Sequence, residues 1–233
     1  MRVLMISDVY FPRVNGVSTS IRTFRTVLAQ QGVSSTLVVP DYPQHDNSHD
    51  AADQVVRVPG RYLPFDPEDR LMRQRELRRS LRQLNPENYD LIHIQTPFAA
   101  HYAGVSLARR YQKPVVTTYH TLFAEYIHCY APWLPSGLGR NLAQTLSRRQ
   151  CNAVDMVIAP SRIMHDTLRS YGIHSRIEVV PTGLPLGHFA QGNGAAFRQL
   201  GAVAQGTQPF AELLRLRLGP GRGQRELAAL LEA

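Results

Sequence analysis

Residues 91–119, LIHIQTPFAAHYAGVSLARRYQKPVVTTY, contain the pattern that decides the fold. An apolar run at 91–94 is followed by a helix-like segment at 99–111 and by a second apolar run at 115–119. Both runs are continuously hydrophobic rather than alternating, which is typical of strands buried on both faces of a parallel sheet. The stretch therefore predicts a strand–helix–strand unit with parallel strands.

The same alternation continues on both sides of this unit. Further apolar runs lie at 3–6, 35–39, 55–58, 156–159 and 177–180, and helix-like segments lie at 17–31, 67–84, 137–152 and 162–171. Gly32 and Gly172 are placed to end two of these helices. The order predicts an α/β fold with an open, doubly wound, mainly parallel twisted sheet of about seven strands and helices on both faces.

The alternation stops near residue 190. We assign residues 1–190 to one domain and predict that 191–233 is an irregular or disordered tail. From Gly194 onward only Val203 and Thr207 are β-branched, so no strand is predicted there. Our hypothesis is that the tail is truncated or read out of frame.

Composition and charge narrow the class of protein. The net charge is +8, and 25 of the 26 basic residues are arginine. Such a charge favours binding to nucleic acid or to an anionic membrane surface. The sequence has no basic motif interleaved with aromatic residues and no zinc-ligand spacing, so we expect no nucleic-acid partner.

Cysteine content and hydropathy indicate the compartment. Cys129 and Cys151 form neither a disulfide framework nor a metal cluster, so we predict no metal and a reduced, cytoplasmic setting. No apolar run approaches the ~20 residues that span a bilayer. Met1 leads directly into a strand-like run, so a secretory leader is not expected.

The segment 67–84 has the pattern of an amphipathic helix. Asp66 is placed as an N-cap, with Pro67 at the first helical position and Glu68 in the first turn. Leucines share one face and arginines occupy the rest: Leu77, Leu81, Leu84, Arg73, Arg75, Arg78, Arg79 and Arg82. Two interpretations stay open: a solvated surface helix, or a basic face that contacts anionic lipid headgroups.

Ligands of an open parallel sheet bind outside the carboxyl ends of its strands. The first strand ends at Asp8, and the following loop reaches Asn15 and Gly16 before the first helix. A glycine that permits close backbone approach, next to a helix N-terminus, forms either a tight loop or a phosphate cradle.

Histidines and a serine stand at or near other strand ends. His120 follows an apolar strand, where it could donate a hydrogen bond, move a proton or hold a phosphate oxygen. The alternative is a structural histidine at a strand end. His93 lies inside its strand and is predicted to be buried and hydrogen-bonded, and Ser161 is predicted to be an N-cap.

Four motifs occur in the order of a known family. They are Arg2-Val3-Leu4-Met5-Ile6-Ser7-Asp8 with Asn15-Gly16-Val17, then Tyr119-His120-Thr121, Ile158-Ala159-Pro160-Ser161 and Val180-Pro181-Thr182-Gly183. Together they resemble the N-terminal, acceptor-side domain of a glycosyltransferase family 4 enzyme. The resemblance covers about residues 1–190 and implies one Rossmann-like half of the two-domain GT-B fold.

The resemblance implies a retaining hexosyltransferase that moves a sugar such as mannose or glucose from a nucleotide-sugar donor to a lipid or glycan acceptor. It implies no metal or other cofactor, because helix termini and basic side chains stabilise the departing diphosphate. The expected site residues are His120 as catalytic, Asn15, Gly16 and Ser161 as donor- or phosphate-binding, and Asp8, Tyr119 and Tyr126 as acceptor-binding. Asn15 departs from the Gly-Gly pair that is usual in the family.

The second half of the family pattern does not follow residue 194. We therefore expect the chain to be inactive without a C-terminal domain, which is missing or separate. Aromatic residues at 123–133 and the arginines at 57–82 suit a lipid acceptor and a peripheral position at the inner membrane face. The alternative is a non-catalytic module that binds a membrane or a partner.

Overall fold

The computed structural model describes residues 1–43, 48, 50–63, 66–122 and 136–183 of the 233-residue chain. Its strands are β1 (Arg2–Ile6), β2 (Ser34–Pro40), β3 (Val55–Val58), β4 (Gly60–Leu63), β5 (Asp66–Met72), β6 (Leu91–Ile94), β7 (Val115–Thr118), β8 (Met156–Ala159) and β9 (Arg176–Val179). Its helices are α1 (Gly16–Gln30), α2 (Gln74–Gln83), α3 (Ala99–Tyr111), α4 (Ser136–Cys151) and α5 (Arg162–Ser170), with a 3₁₀ turn at Pro86–Asn88.

Seven strands form one parallel sheet in the order β3-β2-β1-β6-β7-β8-β9. The strand order changes direction at β1, because β2 lies on one side of β1 and β6 lies on the other. That arrangement is the topological switch point of a doubly wound sheet. The predicted fold class is confirmed, and each of the seven predicted strands is present.

Two hydrophobic cores cover the two faces of the sheet. On one face Leu4 and Ile6 pack in a cluster that includes Leu77 of α2 and residues of α3 and α5. On the other face Val3 and Met5 pack with Ile21 of α1. Alternate residues of β1 therefore serve opposite cores, which explains why its sequence is continuously apolar.

The predicted helix at 67–84 is wrong over its first part. Residues 66–72 form β5, which pairs antiparallel with β4, and α2 begins only at Gln74. The capping signal at Asp66 is local, whereas pairing with β4 and the burial of Met72 are tertiary interactions that outweigh local propensity. The leucines of the helix behave as predicted, because Leu77 and Leu81 are buried.

Three glycines have defined structural roles. Gly32 and Gly172 follow α1 and α5 with φ of 74° and 80°, the left-handed conformation that ends helices. Gly104 lies in α3 against β6, where a Cβ would be 2.7 Å from Cγ1 of Ile94. A glycine there lets α3 approach the sheet closely.

All the described helices and strands belong to a unit that runs from Met1 to Leu184. The predicted domain boundary near 190 and the tail 191–233 lie outside the described residues and stay predictions. In the described ranges, none of the helices has the length and apolar character that a membrane span requires.

Candidate active site

The carboxyl ends of the central strands meet at one edge of the sheet. The Gln95 N–H donates to the Ile6 carbonyl at 2.9 Å, and the Asp8 N–H donates to Thr96 Oγ1 at 2.7 Å. The Tyr119 N–H donates to the Ile158 carbonyl at 2.9 Å. The segments that follow β1, β6, β7 and β8 are therefore neighbours, as the strand order requires.

The N-terminus of α1 opens at this edge. Asn15 is its N-cap, and the Asn15 side chain accepts a hydrogen bond from the Ser18 N–H at 2.8 Å. Helix geometry leaves the N–H groups of Gly16 and Val17 without an intrahelical acceptor. Gly16 is exposed, and no heavy atom lies within 4 Å of the position that a Cβ would take. An anion can thus approach the positive end of the helix over Gly16.

A buried arginine holds the loop that leads to α1. The Arg57 guanidinium pairs with Asp50 at 2.9 Å and donates to the carbonyls of Phe11 and Pro40 at 2.7 and 3.3 Å. On the other side of the loop, the Arg22 guanidinium lies 4.5 Å from the Phe11 ring centroid. These contacts hold the loop before Asn15 against the sheet and against α1. They therefore order the N–H groups of Gly16 and Val17 at the start of α1, which we call the candidate anion site.

His120 lies at the end of β7 and is hydrogen-bonded to β6. Its Nε2 is 3.0 Å from Oε1 of Gln95, the residue that directly follows β6. Burial lowers the pKa of His120 to about 4, so the ring is neutral at pH 7. A neutral imidazole has one donor and one acceptor nitrogen. It can form a hydrogen bond to a phosphate, but it adds no positive charge beside it.

A second polar pair lies next to the first on the same face of the sheet. Nε2 of His93 is 2.7 Å from Oγ1 of Thr118, and both residues are buried. Burial lowers the pKa of His93 to about 3, and repulsion from the charge that His120 acquires below about pH 4 adds to the effect. The ring of Phe24 in α1 packs edge-on against His93, which places both pairs on the α1 side of the sheet. His93 is therefore buried and hydrogen-bonded, as predicted.

The Asp8 carboxylate is hydrogen-bonded to residues just after β6 and at the start of α3. Its carboxylate accepts from the Thr96 hydroxyl at 2.7 Å and from the Ala100 N–H at 3.1 and 3.2 Å. Phe98, the N-cap residue of α3, makes no side-chain capping bond, so Asp8 caps α3 from another part of the chain. Burial outweighs these hydrogen bonds and raises the pKa of Asp8 to about 6. Its predicted acceptor-binding role stays a prediction.

Two other predicted site residues, Tyr119 and Ser161, make structural contacts of their own. Tyr119 packs in the core that contains α3, where its hydroxyl is 2.7 Å from Oγ of Ser147 in α4. Ser161 is exposed and caps α5 through the Met164 N–H at 3.2 Å, which confirms the predicted N-cap. Tyr126 lies outside the described residues. The binding roles of all three residues stay predictions.

Sequence reasoning missed Gln95 and Thr96, and it grouped Arg57 with the arginines that suit a lipid acceptor, whereas the Arg57 side chain is buried against Asp50 and Phe11. The signal for Gln95 was available: it stands two residues after His93, directly after β6, so continued strand geometry places both side chains on the same face. Thr96 and Arg57 act through contacts with Asp8 and Phe11 that are distant in sequence. No local pattern could have revealed those contacts.

The described residues contain no group of three or more histidine, cysteine, aspartate and glutamate side chains that could hold a metal ion. Cys151 is a buried free thiol, and Cys129 lies outside the described part of the chain. The predicted absence of a metal or other cofactor stays a prediction.

Comparisons with known proteins give a consistent family. Residues 14–188 match Glycosyltransferase Family 4. The chain is 34% identical over 190 residues to an alpha-monoglucosyldiacylglycerol synthase of Streptococcus pneumoniae, with 81% of this chain and 42% of that protein covered. It is 28% identical to a GDP-mannose-dependent alpha-mannosyltransferase of Mycobacterium tuberculosis, with 82% of this chain and 49% of that protein covered. The chain thus spans somewhat less than half the length of these relatives.

Solved structures resemble the chain more distantly. A sucrose-phosphate synthase from Thermosynechococcus elongatus has a TM-score of 0.48 at 15% identity, with 86% of this chain and 99% of that chain covered. A UDP-GlcNAc 2-epimerase from Methanocaldococcus jannaschii has a TM-score of 0.46 at 14% identity, with 77% and 45% covered.

Proposed function

The chain belongs to Glycosyltransferase Family 4, and from this membership we propose that it supplies the acceptor-side domain of a retaining hexosyltransferase. The enzyme transfers glucose or mannose from a nucleotide sugar to a lipid or glycan acceptor. The observation that carries the proposal is the placement of the α1 N-terminus and the His120–Gln95 pair on one face and at one edge of the sheet.

The chemistry of this edge suits a nucleotide-sugar donor. The diphosphate would lie over Gly16, where the N–H groups of α1 and its positive end stabilise the charge that develops on the leaving group. His120 would lie beside the transferred sugar. Its low pKa keeps it neutral, so it serves as a hydrogen-bonding group there rather than as a cation.

A lipid acceptor and a membrane surface are supported by one relative's name and by the charge on α2. The streptococcal relative is named as a synthase of a glucosyl diacylglycerol. In this chain the exposed side of α2 carries Arg75, Arg78, Arg79 and Arg82, and a cleft between α2 and α3 is also lined by Arg110. We place the protein at the cytoplasmic face of a membrane, bound peripherally through these arginines.

A hybrid enzyme tests the proposed activity. Residues 1–190 are fused to the C-terminal half of the streptococcal relative, and transfer from UDP-glucose and GDP-mannose to extracted lipids is measured. Replacement of His120 by Ala should lower transfer by roughly 10²–10⁴-fold, as the loss of a positioned catalytic group does. The anomeric configuration of the product, read by NMR, tests retention.

Two glycine variants provide a matched pair. Gly16→Ala places a methyl group where the diphosphate would lie and should lower transfer by at least about tenfold. Gly137→Ala, in the first turn of α4, also has no atom within 4 Å and should leave transfer unchanged.

Full turnover in His120→Ala would contradict the assigned role. A folded hybrid that binds vesicles but transfers no sugar would favour the non-catalytic membrane module.

A further inference from the structure

Gln95 is a buried polar residue whose side chain uses only part of its hydrogen-bonding capacity. It is 3% exposed, and within the described part of the chain its Nε2 has no hydrogen-bond partner. Its Oε1 lies 3.0 Å from Nε2 of His120. An apolar residue would avoid the cost of burying an unsatisfied amide. The contact with His120 therefore explains why a glutamine, rather than an apolar residue, stands at this position.

We propose that Gln95 is a positioning residue that fixes the proton of His120 on Nε2 and leaves Nδ1 as the acceptor nitrogen of the ring. The proposal rests on the proposed function for the role of His120. An amide oxygen has lone pairs and no hydrogen, so it can only accept. With Oε1 toward the ring, the contact requires His120 to be the donor, and a neutral imidazole that donates through Nε2 keeps its lone pair on Nδ1.

The tautomer decides which part of a ligand the ring can recognise. A lone pair on Nδ1 accepts a hydrogen bond from a sugar hydroxyl and cannot donate one to a phosphate oxygen. The His120 side chain thus recognises the hydroxyl groups of a sugar or of an alcohol acceptor. The phosphate oxygens are left to the N–H groups of α1, which can only donate.

The neighbouring polar pair supplies an internal control. His93 lies two residues before Gln95, and its Nε2 is bonded to the Thr118 hydroxyl, which can either donate or accept. His93 therefore has no tautomer imposed by its partner. Its proton position should not respond to a change at Gln95, and it should respond to Thr118→Val.

Long-range ¹H–¹⁵N NMR of the ¹⁵N-labelled full chain at pH 7.5 measures the tautomer of each histidine without any ligand. His120→Gln assigns the His120 signals. The unmodified chain should show His120 with a pyrrole-type Nε2 and a pyridine-type Nδ1. In Gln95→Met the acceptor is lost, and the two nitrogen shifts should move toward each other as the tautomers exchange. In Gln95→Glu the ionised carboxylate can only accept, so Nε2 of His120 should stay protonated, in either the neutral or the cationic ring.

Two results would overturn the proposal. One is an Nδ1–H tautomer for His120 in the unmodified chain, which would mean that the amide of Gln95 faces the ring through its nitrogen. The other is an unchanged His120 signal in Gln95→Met when the His93 signals show that the fold is retained. If Gln95→Met does not fold, loss of the Nε2–H form in Gln95→Glu has the same meaning. None of these readouts needs transferase activity, so failure here is distinguishable from failure of the proposed function.

Discussion

Asp8 has a strongly perturbed acid–base equilibrium because its carboxylate is buried beneath the N-terminus of α3. Burial raises its pKa from 3.8 to about 6 despite the hydrogen bonds from Thr96 and Ala100. The folded chain thus binds this proton more tightly than the unfolded chain does. The resulting contribution to stability is fully present below about pH 4 and is lost as the pH rises through about 6.

Replacing Asp8 by Asn should remove this pH dependence. The amide keeps an oxygen for the Ala100 N–H and cannot ionise. As the pH rises from 4 to 6.5, we expect Asp8→Asn to gain stability relative to the unmodified chain. The quantity compared is the difference between their free energies of unfolding. The shift across this interval should be about 2 kcal/mol, which is most of the roughly 3 kcal/mol that about 1.4 kcal/mol per pKa unit gives for the whole titration.

Urea unfolding at several pH values measures this difference. The same substitution at the exposed Asp53 is the matched control, and the pH dependence of Asp8→Asn is read relative to Asp53→Asn. A constant difference between Asp8→Asn and the unmodified chain would show that the Asp8 carboxyl ionises in the folded chain as it does in the unfolded one.

At the scale of elements, the packing of α3 on β6 depends on a single missing methyl group. A Cβ on Gly104 would lie 2.7 Å from Cγ1 and 2.9 Å from Cδ1 of Ile94, and Ile94 is itself fully buried. Alanine favours a helix over glycine by about 1 kcal/mol. The overlap with Ile94 acts in the opposite direction and forces either the helix or the side chain to move.

We expect Gly104→Ala to lower the free energy of unfolding by about 1–3 kcal/mol, as overpacking of a core does. Gly137→Ala, a helical glycine with open space, is the control and should be neutral or slightly stabilising. Ile94→Val removes Cδ1 and should relieve part of the loss in the double variant. Equal stabilities of Gly104→Ala and Gly137→Ala would contradict the close approach of α3 to β6.

The elements differ in how far their sequences predict them. The strands of the parallel sheet were predictable because β1 and β8 are largely apolar and β6 and β7 combine apolar with β-branched residues, and buried strands need no partner-specific signal. The β4–β5 hairpin was not predictable, since Asp66 and Pro67 carry a helix-start signal that pairing with β4 overrides. The edge at which the site forms follows from parallel topology alone. The Gln95–His120 and Asp8–Thr96 contacts needed the structure, because each joins residues on different strands.

For the whole molecule, the two faces of the sheet carry different kinds of side chains. The α1 face holds the polar pairs of His93 and His120 and ends at the candidate anion site. The opposite face carries α2 and α3, and the arginines of α2 point outward while Leu77 and Leu81 face the core. A membrane that binds the arginine face would leave the carboxyl-end edge of the sheet accessible to a nucleotide sugar from the aqueous side.

Vesicle co-sedimentation tests this arrangement in the full chain. A variant with Arg78, Arg79 and Arg82 replaced by Gln should bind vesicles that contain phosphatidylglycerol roughly a hundredfold more weakly. This estimate takes about 1 kcal/mol for each arginine near an anionic surface. The binding of the unmodified chain should weaken with salt and be small on pure phosphatidylcholine.

The matched control removes the same charge elsewhere. Arg148, Arg149 and Arg162 are exposed on α4 and α5, and their replacement by Gln lowers the net charge equally. If α2 itself is the contact surface, this control should bind more tightly than the α2 triple variant, because its arginines lie on α4 and α5 rather than on α2. Equal losses in the two triple variants would mean that diffuse positive charge, rather than α2, attracts the membrane. Binding of both at full strength would remove the arginines of α2 from the proposed contact. Absence of vesicle binding by the unmodified chain would remove the membrane from the proposal and leave a glycan or a water-soluble alcohol as the acceptor.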